Sequence, residues 1–212
     1  MDEEISINTD DFELARIPIR IKGKSPMLQN KMSERDKRKL KAQKTSKTGD
    51  KNNPVVPEEV IYERCHIISG NGVTQYGVPS VAIKMAIVEG GYGADIFDSK
   101  AGPKRAFQVE GEAGELCKME VDADPVVDER RVDMSRNSSE IKFRPRFELD
   151  WFVDFEVKAF RSKITPAQIL EATEVAGEFN GIGSYRAQNG GPFGKFKICK
   201  VGDQEIDLDV FE

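Results

Sequence analysis

The sequence predicts an α+β fold in one domain, residues 1–212, and three observations predict it. Apolar residues alternate with polar ones near the start and again from Ile141 to Phe160, which is the period of half-buried strands. Two helical segments, opened at Ser80 and Thr165, fall between the strand segments. A turn at Arg136-Asn137-Ser138-Ser139 folds two of the strands into a long hairpin, 126–147.

The elements follow in order. Residues 1–11 form an acidic, polar leader. From Phe12 to Lys22, Ile17, Ile19 and Ile21 share one face of a strand, and Pro18 places it at an edge or bulge. The stretch 23–57 is rich in Lys, Ser, Thr and Asn, lacks apolar periodicity, and is too long for an ordinary connection. It is expected to be a basic flexible insertion. Pro57 to Tyr62 opens a short helix with acids at the positive end of its dipole. Ser80 caps Val81 to Glu89, an almost wholly apolar helix that Gly90-Gly91 is expected to end. Residues 92–114 read as irregular. Strands are expected at Glu115–Val121, Val126–Met134 and Ile141–Phe160. In the last, Phe147, Leu149, Trp151, Val153, Phe155 and Val157 line one face, and the hairpin pairs Val132 with Ile141. Thr165-Pro166-Ala167-Gln168 is a capping box with Pro at the first helical position, and the helix runs to about Phe179. A glycine-rich loop, Gly181 to Gly194, then leads into a strand at Lys195–Val201, and the acidic tail from Glu205 adds an edge strand. This β-α-β-β-α-β order is ferredoxin-like (RRM-like), with the basic insertion and the hairpin as additions.

Composition removes several classes. No apolar run reaches the length of a membrane span, and the acidic N-terminus lacks the basic start of a secretory signal, so a cytoplasmic protein is expected. Three cysteines without CxxC spacing read as reduced thiols, with no metal site. The net charge of -5 hides a division. Lys31 to Lys51 holds nine cations and three acids, a charge of +6, which leaves -11 on the remainder. Screening confines the repulsion of that acidic body to about 8–10 Å, so the arm can attract a polyanion locally.

The five glycines Gly181, Gly183, Gly190, Gly191 and Gly194 follow a helix and precede a strand. A dinucleotide fingerprint needs the reverse order, and no Gly-Lys-Ser/Thr is present, so nucleotide-cradling loops are excluded. The loop, with Phe196 behind it, is similar to the C-terminal glycine-rich loop of the repeat-associated RAMP superfamily of RNA-binding proteins. Within it the chain most resembles backbone-forming subunits of CRISPR effector complexes, which share a long insertion after the first strand and a helix opened like Val78-Pro79-Ser80. Uncharacterised phage proteins of the same plan are also similar. The resemblance spans roughly Phe12 to Val201. It implies binding of single-stranded DNA or RNA without catalysis, self-association along the strand, and a setting in a bacterial or phage-infected cell.

The residues agree with that implication. Single-strand binders combine a cationic track with aromatic platforms. Lys142, Arg144 and Arg146 lie two apart on one strand face, turned away from Phe143 and Phe147, with Arg130 and Arg131 on the partner strand. Tyr185 and Arg186 supply a ring and a phosphate contact in the loop, and Lys37, Arg38, Lys39 and Lys41 supply the arm. No catalytic residue, cofactor or metal is expected. Two alternatives remain: a metal-independent RAMP-type endoribonuclease using His66, the only histidine, and a phage inhibitor whose acidic body mimics nucleic acid. Cys65-His66 is a poor dyad, because neighbours on a strand point oppositely. Asp122, Asp124 and Asp128 suit an exposed edge better than a metal pair.

Overall fold

The computed structural model describes residues 14–34, 36–38, 57–68, 74–135 and 138–206. The acidic leader, Lys39, Lys41 and the tail beyond Ile206 therefore lie outside the described residues.

The main sheet is antiparallel. Strand β1 (Leu14–Gly23) sits between β10 (Phe196–Val201) and β9 (Phe152–Phe160). Beyond β9 come β6 (Leu116–Glu120), β4 (Gln75–Pro79) and β3 (Ile67–Ile68), and β5 (Phe107–Glu110) also pairs with β9. The two-residue β11 (Gln204–Glu205) borders β10. Helices α2 (Ser80–Gly93) and α4 (Pro166–Val175) connect the strands and pack together on one face. The alternation of β1 explains this. Ala15, Ile17, Ile19 and Ile21 are buried with Val153, Phe155 and Val157 of β9 and with Ile83, Ile87 and Ile169 of the helices. The remaining elements are α1 (Pro57–Arg64) and α3 (Ala101–Ala106). A second sheet, β2-β8-β7, is built from β2 (Met27–Leu28), β8 (Ser138–Phe147) and β7 (Val126–Ser135).

Five expectations need correction. β1 is central, not an edge. Pro18 is tolerated because its carbonyl accepts from Gly202 at 2.9 Å, where the β10 ladder has already ended at Ile19 opposite Val201, so no ladder donor is lost. At the start of the 23–57 stretch, Met27 and Leu28 of β2 are fully buried in the core, while residues 39–56 lie outside the described residues. Residues 92–114 contain α3 and β5. The expected strand 141–160 is two strands in different sheets. Asp150, at φ 68°, breaks the alternation, so Trp151 is buried while Leu149 is 54% exposed. Finally, Gly90-Gly91 does not end α2, which runs to Gly93, and Pro79 rather than Ser80 is its N-cap. A Cβ on Gly90 would lie 2.8 Å from the Ala176 backbone, and one on Gly91 would overlap the Phe97 ring. These glycines permit helix contact; they do not stop the helix. Ser80 instead donates its N–H to Glu115 O at 2.9 Å.

The Thr165 capping box is present, with Gln168 N donating to Thr165 Oγ1 at 3.2 Å. After Val175 the helix widens into one π turn, Ala176–Asn180, and Gly181 at φ 65° leads out of it. Hairpin β7–β8 is in register with Arg131 opposite Ile141, one residue from the expected pairing. Phe147 carries it onto the core through an edge-to-face contact with Tyr76 at 5.1 Å.

Glu174 of α4 is buried and accepts the Ile198 N–H at 2.8 Å, tying α4 to β10. Burial raises its pKa, partly offset by that hydrogen bond and by Lys24 and Lys197. A raised carboxyl binds its proton more tightly folded than unfolded. Stability therefore falls as pH rises from the ordinary glutamate value through the raised one. Glu174→Gln keeps an acceptor and removes the buried charge. Thermal melts should show the variant more stable by a few degrees at neutral pH, with the gain vanishing in acid below the ordinary value. A variant less stable at every pH would refute this.

Candidate nucleic-acid interface

Cross-strand partners share a sheet face, so the register places Val126, Asp128 and Arg130 of β7 beside Arg146, Arg144 and Lys142 of β8. Arg144 and Arg146 thus lie opposite Phe143 and Phe147. Asp128 is 5% exposed and organises this face. Arg130 Nε donates to its Oδ1 at 2.7 Å and Arg146 Nη1 to its Oδ2 at 3.3 Å, while Arg144 is its cross-strand partner. One buried carboxylate pairs with two guanidiniums and acts electrostatically on a third. Arg146 also pairs with Glu148 at 2.7 Å. Arg144 is only 7% exposed, and its Nε is buried with no hydrogen-bond partner among the described residues. Its pKa is lowered by burial, with Asp128 opposing and Arg64 and Arg130 adding to the shift. Arg131 is exposed and Lys142 half-buried.

The glycine-rich loop joins this surface. Ser184 bridges to Leu28, its N–H donating to Leu28 O at 2.7 Å, so the loop extends the second sheet beyond β2. Gly183, at φ 87°, is required there, because a Cβ would strike the Leu28 carbonyl. Gly194 closes the loop, accepting the Ile182 N–H at 2.9 Å. Phe193 is buried, with the Arg130 guanidinium 4.7 Å above its ring and the Tyr185 ring 6.1 Å away. Tyr185 is 41% exposed and holds φ 50°, a left-handed conformation unusual for a bulky residue. Arg186 is fixed by bonds to Gly183 O at 3.3 Å and Gln188 Oε1 at 2.8 Å. Arg130, Phe193 and Tyr185 thus form one chain of contacts, with Lys142, Arg144 and Arg146 on the Arg130 face of the hairpin, whereas Arg131, paired with Ile141, lies on the other face. The bridging Phe193 was missed, although an aromatic ring between two glycines of such a loop is a readable signal.

The arm is less unified. Lys37 pairs with Glu34 at 2.6 Å, and Arg38 is exposed. Its proximal part is tied to α1, with Lys31 N–H on Arg64 O at 3.0 Å and Arg64 on Asp36 at 2.9 Å. On the face of the main sheet turned away from α2 and α4, four cations are ion-paired, and Lys197 and Lys200 stand opposite Lys22 and Arg20. Arg20 pairs with Glu120 and Asp154, Lys22 with Asp150, Lys158 with Glu110 and Arg16 with Glu156. Phe152, the apolar exception on that face, sits under Arg20 and Lys22 at 4.8 and 5.4 Å.

The catalytic candidates separate. Burial pushes the Cys65 thiol up to about 12, far from a nucleophilic thiolate. Asp124 accepts from Tyr76 Oη at 2.8 Å, and no acidic or His/Cys cluster among the described residues is arranged to hold a metal. No helix among the described residues is long and apolar enough to cross a membrane. His66 lines a cavity with the glycine-rich loop, and burial and Lys31 lower its pKa.

No family profile and no curated protein sequence matches the chain. Among solved structures, its fold is similar to that of a chain in the Type III-B Cmr-beta complex bound to cognate target RNA. The TM-score is 0.56 at 7% identity, over 92% of this chain and 62% of that one. The chain thus spans less than two thirds of that relative's length. Cmr6 from Pyrococcus furiosus aligns over 87% of this chain and 98% of its own, at 10% identity and a TM-score of 0.43. The resemblance to RAMP-type subunits of CRISPR effector complexes holds for the α+β, mainly antiparallel fold.

Proposed function

We propose that the protein binds single-stranded nucleic acid, without cleaving it, along the β7–β8 hairpin and the glycine-rich loop. Adjacent subunits would coat the strand in a CRISPR-like or phage nucleic-acid pathway. The observation that carries this is the Arg130–Phe193–Tyr185 contact, which makes a cationic strand face and an aromatic loop one surface. The order β10-β1-β9-β6, with α2 and α4 in the crossovers, supports a ferredoxin-like core. The structurally similar Cmr-beta assembly is itself bound to target RNA.

Labelled single-stranded RNA and DNA, titrated by fluorescence anisotropy at several salt concentrations without metal, test the proposal. Affinity should fall with salt by a log-log slope of about 0.7 per phosphate contacted. No binding of either strand at low salt would overturn it. The position of His66 in the loop cavity favours a second reading, metal-independent cleavage. Cut strands that disappear in His66→Ala would establish that reading instead.

A further inference from the structure

Three of the cavities on the described surface differ in the charge of their walls. The one on the open face of the main sheet is lined by four carboxylates, Glu110, Glu112, Asp154 and Glu156, with Arg20 and Lys200. The one beside α3 and the start of α4 includes Asp98 with Arg105 and Lys163. The third, about 370 Å³, lies between β2, the start of α2 and the glycine-rich loop, and no carboxylate among the described residues lines it. On a chain of net charge -5 this is a selective wall. It disfavours cations and accepts a neutral or anionic group.

Its surface divides by chemistry. Met27, Val78 and Ile182 form a buried apolar base, which Ala82 and Met85 of α2 extend. His66, Ser184 and Asn189 provide neutral donors and acceptors, Asn30 keeps its amide hydrogens while its Oδ1 accepts from Arg64 Nη1 at 2.7 Å, and Arg186 is the cation among the described lining residues. Burial and Lys31 lower the His66 pKa, which favours the neutral imidazole with its one donor and one acceptor. The wall is stiff. Gln29 takes the His66 N–H at 2.8 Å and gives its own amide hydrogen to Gly77 O at 2.9 Å, while Ser184 is pinned to Leu28. An apolar floor with a few fixed polar groups is the make-up of a small-molecule pocket. A lone phosphate would gain one arginine there and lose its hydration over apolar surface.

We infer that this cavity holds one unstacked nucleobase of the bound strand, its face on the Met27–Ala82–Met85 floor and its edge read by His66, Asn30 and Ser184. The inference rests on the proposed strand binding, because Tyr185 and Arg186 belong both to that surface and to the cavity wall. A strand crossing the loop brings a base to the opening, and a flat, neutral ring with edge donors and acceptors matches the wall.

His66 is the only histidine, so its imidazole signals in NMR spectra of the wild-type protein need no assignment by mutation. They should shift on adding a base-bearing single strand and stay in place on adding a wholly abasic strand of equal length. Anisotropy gives a second test. Ala82→Leu, or Met85→Phe, fills the void from the half-buried side of α2. Each should lower the preference for base-bearing over abasic strands about tenfold, the worth of one held base. Binding of the abasic strand should be unchanged. Equal His66 shifts with both strands, no shift with either bound strand, or an unaltered preference in the folded variants would overturn the base pocket while strand binding stands. If neither strand binds at low salt, the proposed function itself fails.

Discussion

Tyr185→Gly is expected to lose single-strand binding by ten- to hundredfold while its melting temperature stays within a few degrees of wild type. The expectation starts from the backbone. At φ 50° a bulky residue bears a strain of roughly 1–2 kcal/mol that glycine does not. Against that gain stand the lost ring contact with Phe193, about 0.5–1.5 kcal/mol, and the larger unfolded-state entropy of glycine, about 0.5–1 kcal/mol. These nearly cancel, so the fold has little use for the side chain. A base stacked on the ring is worth about 1–3 kcal/mol, and that would be lost outright. Tyr185→Phe keeps the ring and should bind nearly as wild type. If Tyr185→Gly binds as well as wild type, the ring is no platform. If it melts far earlier, the tyrosine is there for packing.

Asp128→Ala should cost about 3–5 kcal/mol in denaturant unfolding, because it strips the counter-charge from a buried cluster. Arg130 and Arg146 would lose their acceptor, and Arg144 would be left buried near Arg64 and Arg130 with no carboxylate beside it. That is a large share of the roughly 5–15 kcal/mol that holds an ordinary domain folded. Asp128→Ala combined with Arg144→Met removes the stranded charge with its partner and should recover part of the loss. A single variant within about 1 kcal/mol of wild type would show that water already solvates the cluster. On the same ground Arg144→Ala should lower stability more than it lowers the salt slope of binding.

Part of this surface was legible in the sequence because its signals are local. The two-residue spacing of Arg144 and Arg146 sets their common face wherever the strand goes. Thr165 and Gln168 form their capping box within one turn, and glycines between a helix and a strand mark a strained chain reversal before any partner is known. The charge division and the absence of nucleotide-cradling motifs are likewise properties of the chain itself. Burial is not. Nothing near Arg144 in sequence shows that it is enclosed, since the groups around it come from Asp128, Arg130 and Arg64. The same holds for Gly90 and Gly91, whose local meaning is a helix stop. Ala172, Ala176 and Phe97 turn them into contact points that keep α2 running.

The sequence by itself determined that β1 and the hairpin are strands and α2 and α4 are helices, the basic hairpin face and the glycine-rich loop, because hydrogen bonding and side-chain direction act over a few residues. Only the tertiary structure decided that the alternating run 141–160 breaks at Asp150 into two sheets, that Phe193 joins loop to hairpin, and that His66 opens onto the loop cavity. Those outcomes depend on which distant surfaces exclude water together, and apolar burial is non-directional: it records how much surface is hidden, not which partner hides it.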